Sequence, residues 1–121
     1  MTLTDIETPA ALIDETRMAG NIARLQGHLS ALGVRLRPHV KTSKCIEVAR
    51  RQQAAGARGI TVSTLKEAEQ FFAAGFSDIL YAVCIAPDKL DRALAEARRV
   101  LRRREHRLRH QLLRGLEFLQ Q

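Results

Sequence analysis

Aromatic residues and cysteines are scarce in this chain. Tryptophan is absent, aromatic side chains make up 4% of the residues, and the two cysteines are Cys45 and Cys84. They lie 39 positions apart and match no metal-ligand or redox spacing. We therefore expect two small core thiols rather than zinc ligands or disulfide partners.

Long apolar runs are also missing. No stretch of about 18 apolar residues is present to cross a membrane, and the N-terminus lacks the basic and apolar segments of a signal peptide. The sequence therefore predicts a cytoplasmic location and no membrane partner. Its 121 residues, 45% of them hydrophobic, predict one globular unit at most.

The positive charge is concentrated at one end of the chain. Of the net charge of +7, residues 1–97 contribute +1, from twelve Lys+Arg against eleven Asp+Glu. Residues 98–121 contribute +6, from eight Arg against two Glu. A basic surface attracts anionic partners, so only the tail raises that question.

Hydrophobic periodicity predicts alternating strands and helices. A strand is predicted over 9–14 and a helix over 15–32, with caps at Asp14 and Gly33. Further strands start near residues 34, 59 and 78, and each is followed by a predicted helix, over 44–55, 65–74 and 88–98. This alternation is typical of a parallel sheet, doubly wound or part of a (β/α)8 barrel. A complete barrel needs about 250 residues.

A lysine follows the first strand of this repeat, within Arg37-Pro38-His39-Val40-Lys41. Reacting groups of parallel α/β folds lie at the carboxyl ends of strands, where Lys41 is either a nucleophile for a carbonyl or a solvated loop lysine. His39 is either a site residue or a hydrogen-bonded core histidine. Thr64 and Tyr81, near the ends of the next two strands, are candidates by location alone.

Four segments together resemble one family of enzymes. They are TPAALID at 8–14, RPHVKTSK at 37–44, GARGITVSTLKEAE at 56–69 and DILYAV at 78–83. Their order and spacing are similar to the start of the D-threonine aldolases, D-serine dehydratases and the wider alanine racemase N-terminal-domain group. The resemblance covers about residues 8–98. It implies an α/β fold: part of a (β/α)8 TIM barrel, with about three βα units after an N-terminal strand and helix.

The resemblance also implies a cofactor, pyridoxal 5'-phosphate, held by Lys41 as a Schiff base. His39 would lie beside it, with Thr64 and Tyr81 as further cofactor-binding candidates, and Val40 would face the barrel wall because strand residues alternate. The family usually has a second histidine where this chain has Ser43. Its divalent-metal ligands and most of its phosphate cup have no counterpart here.

The implied reaction is a lyase reaction on a β-hydroxy D-amino acid, in which the cofactor accepts electrons. The stretch 79–87 favours a D-threonine aldolase, which releases glycine and an aldehyde. The alternatives are a metal-assisted D-serine dehydratase and an amino-acid racemase of the same fold. Because strands and metal ligands are missing, the chain is expected to be incomplete and inactive alone.

The tail departs from the resemblance, so we predict a division into residues 1–98 and an arginine-rich helix over 99–121. An apolar stripe runs along that helix: Leu101, Leu108, Leu112, Leu116 and Leu119. It is a solvated helix face, an anion-binding helix, or non-native sequence after a truncation or frame shift. Nucleic acid is disfavoured because no aromatic or DNA-binding motif accompanies the arginines.

The alternative to an enzyme fragment is a non-catalytic module. An unclosed sheet also predicts self-association.

Overall fold

Four helices and two short strands make up the part of the chain that the structure describes. The structure is a computed structural model that describes the backbone of residues 2–118 and the side chains of 2–103, 105 and 106. In chain order the elements are a 3-10 turn Leu3–Asp5, α1 Glu15–Ala31, α2 Ile46–Ala54, β1 Ile60–Val62, α3 Leu65–Ala73, β2 Ile79–Tyr81, a 3-10 turn Pro87–Lys89 and α4 Leu90–Phe118.

The sheet is parallel, as predicted. β1 pairs with β2 on one side and with the extended segment 36–40 on the other, through a parallel bridge between His39 and Thr61. The Thr61 N–H donates to the Pro38 carbonyl at 2.8 Å, and the Val40 N–H donates to the Thr61 carbonyl at 2.9 Å. Proline has no N–H to donate. The strand predicted from residue 34 is therefore reduced to a bridged segment at the edge of the sheet.

The core lies between this sheet and the helices α2 and α3. Each side chain in it is at most 3% exposed: Val40, Ala49, Ile60, Val62, Phe71 and Phe76. The rings of Phe71 and Phe76 meet edge to face, with centroids 5.3 Å apart. The burial of Val40 confirms the predicted alternation, since its neighbour His39 is only half-buried and Lys41 is exposed.

Arg37 joins the amino ends of the sheet segments. Its guanidinium donates to the Asp78 carboxylate at 2.9 Å and contacts the Ile60 carbonyl at 3.4 Å. Gly59 lies directly beneath this pair with φ +132°, in the left-handed region. A Cβ at Gly59 would lie 2.7 Å from the Asp78 carbonyl oxygen and would also overlap the Arg37 guanidinium. This close approach of the Gly59 backbone to Arg37 and Asp78 therefore requires glycine.

Helix α1 is capped as predicted, but its apolar face is largely uncovered. The Asp14 carboxylate accepts from the Arg17 N–H at 2.9 Å, and Gly33 adopts the left-handed cap at φ +68°. No residue of α1 is buried, and Leu25 is 49% exposed. Local capping therefore defines this helix more than packing does.

Residues 9–14 form no strand, so that prediction is wrong for this structure. A strand requires a hydrogen-bonded neighbour, and no backbone hydrogen bond joins this segment to the described sheet. Leu12 and Ile13 are instead exposed. The expectation of core cysteines also fails in part. Cys45 is half-buried at the start of α2, whereas Cys84 is exposed in the loop after β2 because that strand ends at Tyr81.

Helix α4 packs on α3 and continues through residues 98 and 99 without a break. Arg92 contacts the Glu69 carboxylate through two hydrogen bonds of 2.6 and 2.7 Å. The Arg103 guanidinium lies 4.3 Å from the centre of the Phe72 ring and donates to the Phe72 carbonyl at 2.8 Å. The first turns of α4 are thus attached to α3.

The predicted leucine stripe is described only at its start. Leu101 is 58% exposed. The remaining members fall outside the described side chains: Leu108, Leu112, Leu116 and Leu119. Within residues 2–118, no helix is long and apolar enough to cross a membrane.

Candidate active site

Lys41 lies just past the carboxyl end of the extended segment 36–40. It begins a tight turn that the Lys44 N–H closes by donating to the Val40 carbonyl at 2.8 Å. The Lys41 side chain is exposed, and its amino group has no hydrogen-bond or ion-pair partner among the described residues. The amine is therefore accessible, as attack on a carbonyl requires.

His39 joins this turn to β1. The Lys41 N–H donates to His39 Nδ1 at 3.3 Å, and His39 Nε2 lies 3.2 Å from Ser63 Oγ. With Nδ1 accepting from the Lys41 N–H, a proton on Nε2 would be donated to the Ser63 hydroxyl. His39 therefore combines the two interpretations, since it is hydrogen-bonded within the fold and adjoins Lys41.

The buried carboxylate of Glu67 continues the same network. Glu67 is 6% exposed; its Oε2 accepts from the Ser63 N–H at 2.9 Å, and its Oε1 lies 3.5 Å from Lys44 Nζ. The Ser63 N–H is the largest cause of a lowered Glu67 pKa; burial opposes it, and Lys44 lowers the pKa further. The sequence interpretation missed Glu67. Its available signal was the Thr-x-x-Glu spacing of a capping box from Thr64.

Thr64, the third predicted cofactor-binding residue, caps α3. Its hydroxyl accepts from the Glu67 N–H at 3.0 Å, as an N-cap side chain does. Thr64 follows Ser63 in the chain and contacts Glu67, so it lies beside the network that reaches Lys41. A cofactor role for Thr64 stays a prediction.

Tyr81 is not brought to the same face of the sheet as His39. In the parallel register Tyr81 lies opposite Val62 and packs against the core cluster. The bridge and the register place His39, Thr61 and Leu80 in one row, and neighbouring strand residues point to opposite faces. Tyr81 therefore lies on the helix-covered face, and its cofactor role also stays a prediction.

No group of three or more His, Cys, Asp or Glu side chains in the described part of the chain is placed to hold a metal ion. The described chemistry at this end of the sheet is an accessible amine, a hydrogen-bonded histidine and a buried carboxylate. These groups suit a carbonyl compound that reacts with the amine of Lys41.

A parallel α/β unit with an accessible lysine at a strand's carboxyl end defines the class of protein, a lysine-bearing segment of a (β/α)-type enzyme fold. Residues 13–109 match the family model of the alanine racemase N-terminal domain, and the chain belongs to that family. That family has a TIM-barrel-like fold and depends on pyridoxal phosphate. The predicted family and the partial-barrel fold are therefore confirmed.

Relatives with named activities are lyases of D-amino acids. Over 98 residues, 81% of this chain and 26% of the relative, the sequence is 66% identical to D-threo-3-hydroxyaspartate dehydratase from Delftia sp. (strain HT23). The solved structure of that dehydratase matches with a TM-score of 0.78, covering 81% of this chain and 26% of that one.

Two other relatives carry related names. D-serine dehydratase from Dictyostelium discoideum is 39% identical over 93 residues, 73% of this chain and 23% of the relative. D-threonine aldolase from Arthrobacter sp. is 42% identical over 77 residues, 64% of this chain and 20% of the relative. The chain thus spans about a quarter of the length of the curated relatives it matches.

Proposed function

We propose that this chain supplies the cofactor lysine, Lys41, of a pyridoxal-phosphate-dependent lyase for β-hydroxy D-amino acids. The carrying observation is that the Lys41 amine is accessible at a strand end, while the Lys41 backbone is linked through His39 to Ser63 at the end of β1. The names of the relatives support the substrate class, because each name contains a D-amino acid that has a hydroxyl on its β-carbon.

The residues present fit the aldehyde end of the cofactor. Lys41 offers the amine, and the hydrogen bond from its N–H to His39 holds the backbone of the turn. When bound, pyridoxal phosphate draws electrons from bonds at the substrate Cα. Thr64 remains a candidate because an N-cap hydroxyl only accepts and keeps its own proton to donate. Tyr81 would have to leave the helix-covered face.

Dehydration is better supported than aldol cleavage. Identity to the hydroxyaspartate dehydratase is 66% over 98 residues, against 42% over 77 residues for the aldolase. The sequence-based preference for an aldolase rested on residues 79–87 alone. Aldol cleavage is the second candidate function, and the reaction products distinguish the two.

Covalent attachment of the cofactor tests the role of Lys41. The chain is incubated with pyridoxal phosphate, reduced with borohydride, and mapped by peptide mass spectrometry. We expect the label mainly on Lys41, because its amine is accessible and its turn is joined to His39 through the backbone N–H, and we expect the label to be lost in Lys41→Ala. Lys66→Ala, which removes an exposed lysine of α3, is the matched control and should change nothing. Equal labelling of Lys41 and Lys66 would contradict the proposal.

A graft tests the reaction. The matching segment of the Delftia dehydratase is replaced by this chain's sequence, and the hybrid is assayed with D-threo-3-hydroxyaspartate. We expect ammonia and a 2-oxo acid, and loss of both when Lys41 is changed to alanine. Glycine and an aldehyde as products would favour the aldolase alternative. A folded hybrid without either activity would support the non-catalytic module.

A further inference from the structure

The turn after the edge strand contains two lysines in different states. Lys41 opens the turn, and its amino group has no hydrogen-bond or ion-pair partner among the described residues. Lys44 closes the turn, and its amino group lies 3.5 Å from the Glu67 carboxylate. Both side chains are exposed, so solvent access alone does not select one of them for a reaction.

Glu67 is well placed to hold Lys44. Its carboxylate is almost fully buried and is fixed by the Ser63 N–H at 2.9 Å. Because this oxygen pair is rigid, it offers Lys44 a defined partner, in contrast to two mobile side chains on a surface. The carboxylate of nearby Glu47 does not compete, since it pairs with Arg50 at 2.7 Å on its own helix.

The backbone of the turn also depends on the ion pair between Lys44 and Glu67. Lys44 adopts φ +46°, a left-handed conformation that is uncommon for residues other than glycine. Two contacts support it, the hydrogen bond from its N–H to the Val40 carbonyl and the ion pair with Glu67. The ion pair therefore holds both the Lys44 side chain and the turn from which Lys41 projects.

We infer that Glu67 is a positioning residue that directs the cofactor to Lys41 by holding Lys44 away from it. This inference rests on the proposed function. A lysine Nζ adds to the aldehyde carbon of pyridoxal phosphate, a C=N bond forms and water leaves. Lys44 must first leave the carboxylate, whereas Lys41 has no such contact to break.

Reductive labelling of Glu67→Gln tests the inference. Glutamine keeps an oxygen to accept the Ser63 N–H but removes the charge that attracts Lys44. The chain is incubated with pyridoxal phosphate; borohydride then delivers hydride to the imine carbon, water protonates the nitrogen, and the labelled lysines are quantified. We expect the ratio of Lys44 to Lys41 labelling to rise about two- to fivefold, the range of one ion pair.

Glu69→Gln is the matched control. Glu69 lies on the same helix and pairs with Arg92, so Glu69→Gln removes an ion-paired carboxylate of α3 and should leave the labelling ratio unchanged. Labelling that stays on Lys41 in Glu67→Gln would overturn the inference and leave the proposed function standing. Wild-type label spread evenly over Lys41, Lys44, Lys66 and Lys89 would overturn both.

A second measurement needs no variant. In the wild-type chain, limiting acetic anhydride should acetylate Lys44 about two- to fivefold more slowly than Lys41, and salt that screens the ion pair should narrow the gap. Equal rates at low salt would overturn the inference even if Glu67→Gln does not fold.

Discussion

Gly59 shows how one residue sets the amino end of the sheet. Its left-handed φ of +132° and the Asp78 carbonyl, 2.7 Å from where a Cβ would lie, both exclude a side chain. We expect Gly59→Ala to lower the free energy of unfolding by about 1–3 kcal/mol, the cost of a residue forced into a disfavoured conformation. Urea denaturation followed by circular dichroism measures it.

Gly20 provides the opposite case and serves as the control. It lies inside α1, and a Cβ there would meet nothing within 4 Å. Alanine is favoured over glycine in a helix interior, so Gly20→Ala should stabilise the chain by about 0.5–1 kcal/mol. If both substitutions changed the free energy of unfolding in the same direction, the close approach of Gly59 to Arg37 and Asp78 would not explain the effect of Gly59→Ala.

Glu67 makes stability depend on acid pH. The Ser63 N–H lowers the pKa of this carboxyl from its ordinary value of 4.5. A group with a lowered folded-state pKa contributes stability that is fully present above the unfolded value and is lost as pH falls through the folded value. We therefore expect unfolding free energy to decrease below about pH 4.5 in the wild type, and to decrease less in Glu67→Gln. Parallel acid profiles in urea melts would contradict this assignment.

Local sequence signals located Lys41 but not the ion pair between Lys44 and Glu67. The lysine follows an alternating strand pattern and sits in a motif, so its placement needed no tertiary information. The hydrogen bond from the Glu67 N–H to the Thr64 hydroxyl is also local and follows from capping-box spacing. The pairing of Lys44 with Glu67 joins residues 23 positions apart. Only the chain's folded path brings those two together.

Among the secondary-structure elements, helix ends were more predictable than strands. The helix predicted over 15–32 is observed as Glu15–Ala31, because Asp14 and Gly33 provide local caps. Residues 9–14 look like a strand by composition, yet a strand also needs a neighbour, and composition does not reveal one. The position of Tyr81 was also beyond local sequence signals, and its cofactor role stays a prediction. Its face of the sheet depends on register with β1, which no local pattern encodes.

The junction of α4 with α3 tests whether the arginine-rich segment belongs to the fold. We expect Arg103→Ala to cost about 0.5–1 kcal/mol of unfolding free energy, since it removes a cation–π contact with Phe72 at an exposed site. Arg98→Ala, on the same helix and also exposed, is the control and should be nearly neutral. Equal effects in urea unfolding would indicate that α4 does not pack on α3 beyond residue 98.

For the whole molecule, the uncovered face of the sheet is the feature with the largest consequence. Helices α2 and α3 cover the face that holds Val62. In the row on the other face Thr61 is buried, but Leu80 on β2 is 50% exposed. Val83 and Ile85 follow it, also exposed. Apolar sheet surface that no element covers promotes association. Self-association of this chain therefore remains our prediction.

Leu80→Lys tests that prediction directly. A lysine in the middle of β2 places a charge on the uncovered face, and charges on open sheet surfaces oppose pairing between chains. We expect sedimentation velocity to show oligomers for the wild type and a shift toward monomer for Leu80→Lys. Leu94→Lys, a 53% exposed leucine on α4, adds the same charge elsewhere and should leave the distribution unchanged. If both variants dissociate equally, net charge and not the sheet face controls assembly; a monomeric wild type would show that the uncovered face alone does not drive association.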